Sequence, residues 1–383
     1  MKRLSSFASR GKTFLKKVYH CCPIPARIAF CVAAIAAILQ IAFLASPRFS
    51  DFYNRYPGAY FRAFLATLTG WFPFSLAETV LMMLPLIVVL MILLIVKVSK
   101  GTLRQMVSLT LSMLAVLSFF FSTFVLGFSA GYRGSLLEEK LGLDRQKVSA
   151  EELDMTARTL LRELNEILPA ITFEYSGASM MPYSVKEMNR RLQKAYQTSA
   201  EVYDFLPSFR STVKQIVLSE PMTYTHISGV YTYFTGESNL NINFPDYTLP
   251  YTAAHELAHQ RGIAREDEAN FVAFLVCLQS DDPYIRYSGY MGVYEYVISA
   301  LYRADKDRYY ALLKETHSSL RYEMIAYNEF FEKYKDNVAA NVSGSINDSY
   351  LQSQGQTAGS RSYGMVVDLA VAYYKSRSSE VTS

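Results

Sequence analysis

Three long apolar stretches crowd into the first 130 of 383 residues. Crossing a bilayer takes roughly 17–25 apolar residues, and each stretch is long enough. Ile28–Ala45 is uncharged, with Gln40 as its most polar member. Thr79–Val96 contains Pro85, which a membrane helix tolerates. The third runs from Met106 to Ala130, with no charge between Arg104 and Arg133. The sequence therefore predicts transmembrane helices at about 28–45, 79–96 and 106–130, and a second region at 131–383. A long basic leader and two later spans argue against a cleaved signal peptide.

Charge divides at the same place. Residues 1–130 hold 13 Lys+Arg and 2 Asp+Glu, whereas 131–383 hold 25 and 32. The basic residues flank apolar runs and the larger region is acidic, which excludes nucleic acid as a partner and leaves the lipid bilayer. Lys2, Arg3, Arg10, Lys12, Lys16, Lys17 and Arg27 precede the first stretch; Lys97, Lys100 and Arg104 follow the second. The positive-inside rule puts both groups in the cytoplasm. The expectation is a multi-pass plasma-membrane protein with a cytoplasmic N-terminus and residues 131–383 extracytoplasmic. The loop between the first two stretches is aromatic: Phe52, Tyr53, Tyr56, Tyr60, Phe61, Phe64, Trp71, Phe72 and Phe74. It reads as an interfacial belt or surface-lying helix, or else as a roof over a site.

The second region reads as α+β, mainly α. Ser149 with Glu152, and Ser184 with Glu187, are capping boxes that open helices reaching Leu168 and Phe205. Val213–Leu218, Gly229–Phe234 and Ser238–Asn243 are strand-like. After Pro250 helices are expected over Tyr251–Arg261, Arg265–Ser280, Ile285–Tyr302, Arg308–Asn337 and Ser362–Lys375. A polar stretch, Asn341–Ser360, reads as a loop, and the tail Ser376–Ser383 as frayed. Only Cys277 of four cysteines lies in this region, and no CxxC exists, so neither a disulfide within it nor a thiolate zinc site is expected.

Residues 255–259 read His-Glu-Leu-Ala-His and take two of the chain's five histidines. Positions i and i+4 share a helix face, so His255 and His259 can aim at one ion. Glu256, about 100° round the helix, is placed to act as a general base. Pro250 suits the start of that helix and Gly262 its end. Tetrahedral zinc (Zn2+) needs a third protein ligand. A His six residues after His259 is one template, but Arg265 stands there, and a guanidinium cannot coordinate zinc. A Glu on the next helix is the other. Glu268 shares a stripe with Phe271, Leu275 and Leu278 and is the expected ligand; Glu266 and Asp267 are alternatives. Asn270 is a candidate partner for a ligand imidazole. Tyr363, with Arg361, is a candidate donor to an oxyanion. Thr235–Asn243 is a candidate edge strand for an extended peptide.

Asp267-Glu268-Ala269 is similar to the third-ligand segment of thermolysin-type gluzincins, with a shorter gap after the second His. The segment from Thr252 to Phe271 resembles the core of a bacterial family catalogued as domain of unknown function 3810. Phe72–Ser75, Gly229–Tyr231, Thr235–Glu237 and Asn347 to Leu369 resemble it too, so the likeness covers nearly everything after residue 30. The resemblance implies a membrane-anchored zinc peptidase with a zincin-like domain, and it supplies no substrate. The expected function is hydrolysis of peptide or protein bonds with zinc as cofactor and Glu256 as base. The rivals are an inactive scaffold with a structural zinc or histidine site, and a zinc amidase acting on cell-envelope material. Intramembrane proteolysis ranks lower, because the motif follows the last span by about 125 residues and sits in no apolar stretch.

Overall fold

The computed structural model describes residues 18–335 and 337–382. Lys2, Arg3, Arg10, Lys12, Lys16 and Lys17 lie outside the described residues, as does Ser383. The apolar region forms α1 (Ile24–Ala45), α2 (Pro47–Arg55), α3 (Pro57–Gly70), α4 (Leu76–Ser99) and α5 (Leu103–Gly127). Helices α1, α4 and α5 have 22, 24 and 25 residues and are long and apolar enough to cross a membrane. Along α4 no side chain is buried by the protein, as expected of a helix that is apolar on all sides between Glu78 and Lys97. Gln40, the polar residue of α1, accepts the Ser129 hydroxyl at 2.6 Å.

The loop between the first two spans is helical, not irregular. On α3, Gly58, Ala59, Arg62, Ala66 and Thr69 face inward. Phe52, Tyr56, Tyr60, Phe64 and Trp71 are exposed, the last by 85%. That split is the pattern of a surface-lying belt.

Then come α6 (Leu137–Leu141), α7 (Ala150–Ile167), α8 (Val185–Val202), β1 (Val213–Gln215), α9 (Ser219–Thr223), β2 (Gly229–Thr232) and β3 (Glu237–Leu240). The chain ends in α10 (Thr248–Gln260), α11 (Glu266–Leu278), α12 (Pro283–Ala304), α13 (Lys306–Glu315), α14 (Ser318–Glu332), α15 (Val338–Ser353) and α16 (Val366–Thr382). The described residues are mainly helical with one small sheet of order β1-β3-β2. β1 runs parallel to β3, with Val213 beside Ser238. β2 runs antiparallel, with Tyr231 beside Ser238. β3 is thus central, so the segment Thr235–Asn243 is not the edge. The edge beside the motif helix is β2.

Three expectations about helices change. Arg308–Asn337 is two helices, because Thr316 and His317 are extended and the His317 ring caps α14 through the Ser319 N–H. The polar stretch Asn341–Ser360 is mostly α15. Asn337 caps it at the Ala340 N–H, and Leu351 is fully buried, which together outweigh poor intrinsic propensity. The tail continues as α16 to Thr382.

The boundary at residue 130 does not separate two bodies. Glu237, buried on β3, accepts the Leu76 and Ala77 N–H groups at 3.0 and 2.9 Å. Those are unsatisfied donors at the positive end of span α4. Lys214 completes the cluster, 2.6 Å from Glu237 and donating to the carbonyls of Thr69 and Phe74. Glu78 of α4 accepts the N–H groups of Val217 and Leu218 in return.

Candidate metal centre

Helix α10 holds the motif because its sides are small and buried: Ala253, Ala254, Leu257 and Ala258 let β3 and α11 come close. It ends at Gly262, whose φ of +90° is left-handed backbone that favours glycine. The Ile263 N–H then closes on the Ala258 carbonyl at 3.1 Å. A side chain at Gly262 would also strike Asn54 and Arg62, which approach from α2 and α3.

That sharp turn brings the start of α11 back against α10. The Glu266 Oε2 atom lies 3.2 Å from His255 Nε2 and 3.3 Å from His259 Nε2. One donor atom from each of the three lies within 4.8 Å of the others. All three residues are buried. His259 Nδ1 is 2.7 Å from the Ile263 carbonyl. A carbonyl only accepts, so Nδ1 carries the proton and Nε2 keeps its lone pair for an ion.

The electrostatics favour a positive charge at this point. Burial works against the His259 cation, yet the Glu266 carboxylate overrides it and raises the imidazole to about 9. Burial would raise Glu266, but His259 and His255 hold it well below the usual carboxylate range. Two buried polar atoms here have no hydrogen-bond partner in the protein: His255 Nδ1 and Glu256 Oε2. Such atoms are costly to bury unpaired, and a water attending a bound cation would satisfy Glu256 Oε2. The donor set, two imidazoles and a carboxylate, suits zinc.

Glu256 lies on the other side of the pair. Burial pushes its carboxyl up, against the pull of both imidazoles. It accepts the Tyr231 N–H of β2. The β2 backbone comes so close that a Cβ on Gly229 would lie 2.6 Å from Glu256 Oε1.

The structure brings Glu266 to the histidines, and not Glu268. Glu268 accepts the Leu137 N–H at 3.1 Å and faces Arg265 at 3.6 Å. Asp267 pairs with Arg145 at 2.9 Å. The stripe argument fails for a physical reason. Helix α11 is buried on every side from Glu266 to Cys277, so an apolar stripe does not mark the side facing the site. Asn270 does not touch an imidazole: it donates to the Tyr363 carbonyl at 3.2 Å. It thereby positions Tyr363, whose ring stacks on His255 at 6.3 Å between centroids. Tyr363 is therefore at the site, with its hydroxyl bonded to Asn347 of α15.

Two contributors carried no signal in the motif. Phe128, one residue past α5, packs edge-on against the His259 ring at 5.8 Å. Arg62 is fully buried beneath the motif's end. It donates to the carbonyls of Gly127, Arg261 and Asn54 and to the Asn54 side chain, at 2.7 to 3.1 Å. Asn54 itself donates to the Gly262 carbonyl at 2.9 Å. The grip is on the end of α10, not above the ligands, so the aromatic loop is not a roof. Replacing Arg62 by Met keeps the stem and strands those carbonyls. We expect a loss of about 3 kcal/mol or more, read as an earlier thermal unfolding of the full chain in detergent. Unchanged stability would mean the cluster is not buried as described.

Residues 53–371 match a family described as protein of unknown function (DUF3810). The chain belongs to this family. The match takes in α3 to α15, both later spans and every residue of the DUF3810 site described above; it begins at Tyr53, so the first span lies outside it. No curated protein and no solved structure matches the chain.

Proposed function

We propose that this protein is a membrane-anchored zinc peptidase, with His255, His259 and Glu266 as ligands and Glu256 as general base. The observation that carries the reading is the convergence of the two motif imidazoles and Glu266 on one point, beside a carboxylate oxygen with no partner. Among the described residues the cluster holds three donors, which leaves a tetrahedral ion one open position. That favours an enzyme over a scaffold with a closed structural site.

Bound there, zinc supplies Lewis acidity to a water and to the scissile carbonyl. Glu256 takes a proton from the attacking water. The water oxygen bonds to the carbonyl carbon, the C–N bond breaks, and Glu256 passes its proton to the leaving amine. Tyr363, whose ring stacks on His255, offers its hydroxyl as a donor for the developing oxyanion. The substrate strand lies on the outer edge of β2. The Asn241 N–H bonds the Ser228 carbonyl at 2.9 Å, so by the alternation of an antiparallel pair Gly229 and Tyr231 turn their backbone groups away from β3. Tyr231 already reaches Glu256 by that edge.

The test uses the full chain in phosphatidylcholine vesicles and a mixed peptide library. Stripping metal with a chelator should abolish cleavage, and added zinc should restore it. Cleavage that survives stripping contradicts the reading; cleavage of amide-linked envelope fragments but of no peptide transfers it to an amidase. The charge pattern supports a plasma-membrane protein with residues 131–383 on the extracytoplasmic side. Protease added to sealed, right-side-out cells should then digest that region, and full protection would overturn the orientation.

A further inference from the structure

The edge strand and the third span descend together. Phe120, Phe124 and Phe128 recur every four residues on one face of α5 and its extension. Phe128 meets Tyr231 at 5.4 Å, Phe124 meets Tyr233 at 5.3 Å, and Phe120 meets Phe234 at 5.2 Å. Tyr231 lies on β2 and Tyr233 and Phe234 in the turn that follows it, and each successive contact falls about one helical turn of 5.4 Å farther down the span. Gly229, at the other end of the strand, touches Glu256. The hairpin, strand and turn together, therefore leads from the base, past the ligand His259, to a depth of roughly two turns below the outer end of α5. The hairpin tip is held there: a Cβ on Gly236 would press on Leu65 of α3 at 2.5 Å, and the Gly236 carbonyl accepts the Gln260 amide at 2.6 Å.

An extended chain that pairs with the outer edge of β2 must follow the same line. Its one end enters the bilayer beside Phe120, and the other leaves above Glu256. Antiparallel pairing is the more stable arrangement, and β2 runs from the base toward the membrane. The end at the membrane is then the N-terminal one.

We propose that the substrate is a polypeptide tethered in the same bilayer by a segment on the N-terminal side of the scissile bond. This rests on the peptidase reading. The bond that breaks is a peptide C–N bond in the juxtamembrane segment. Water supplies the hydroxyl of the new carboxylate, and the new N-terminus leaves with the released portion.

The experiment co-reconstitutes the full, zinc-loaded chain with three model substrates in phosphatidylcholine vesicles. The first has a span of about 20 apolar residues followed by a randomised segment and a reporter. The second places the same segment and reporter on the N-terminal side of the span. The third is the segment and reporter free in solution. Mass spectrometry reads the cut sites, with Glu256→Gln alongside to subtract contaminating proteases. Cleavage of the first, loss of cleavage in the second, and a free chain cut ~10²-fold or more slowly at equal bulk concentration are the expected results. The two anchored substrates share one effective concentration, so their difference reports polarity alone. Equal or faster cleavage of the second overturns the proposal, as does a free chain cut as fast as the first. In both cases the peptidase reading survives. If none of the three is cut, the peptidase reading falls and the proposal with it.

Discussion

Glu266→Gln is expected to empty the metal centre, while Glu268→Gln leaves it filled. The Glu266 oxygen sits 3.2 and 3.3 Å from the two imidazoles, and an amide there offers a neutral oxygen where the site needs a negative one. Two imidazoles alone make a poor zinc site. Affinity should fall by more than the ~10–100-fold that loss of an outer partner costs. Glu268 is different. Burial pushes its carboxyl up to about 7, so it is part-protonated at neutral pH, and its work is to accept one N–H from Leu137. A glutamine amide oxygen can accept that N–H as well. Zinc per chain after dialysis, measured by elemental mass spectrometry, separates the two. Zinc retained in Glu266→Gln and lost in Glu268→Gln would restore the assignment expected from the sequence.

Glu256→Gln should do the reverse, keeping zinc while turnover falls by about 10²–10⁴-fold, the range for a general base. The side chain is not among the three converging donors; it faces the Tyr231 N–H of β2. Glutamine keeps the shape and that acceptor but cannot carry a proton from water to amine. Cleavage of the peptide library at an undiminished rate, with zinc bound, would remove Glu256 from the mechanism. Loss of zinc together with activity would instead make it a ligand.

The motif helix and its capping glycine were legible because their signals are local: i and i+4 spacing, a starting Pro250, an ending Gly262. The strands were legible in position, each beginning within one residue of its expected start and ending two or three earlier. The third ligand was open between Glu266, Asp267 and Glu268; the stripe rule favoured Glu268, whereas the structure brings Glu266 to the histidines. That rule assumes one wet face, and α11 has none. Helix α15 was missed because its Ser, Asn and Gly composition speaks for a loop, whereas an Asn337 cap and the burial of Leu351 act through tertiary contact. Arg62 and Phe128 were invisible as site residues. Their partners Arg261 and His259 lie 199 and 131 positions away in sequence, a separation no periodicity encodes.

The buried joints at Arg62 and Glu237 also tie residues 131–383 to the helices that precede them. Arg62 and Asn54 satisfy the carbonyls that end the motif helix, and the first turn of α4 satisfies the carboxylate at the heart of the sheet. Severing the chain near residue 131 would strip all of these donors from the remainder at once. A fragment that begins there should unfold earlier than the full chain, because the end of α10 and the Glu237 carboxylate lose these buried partners.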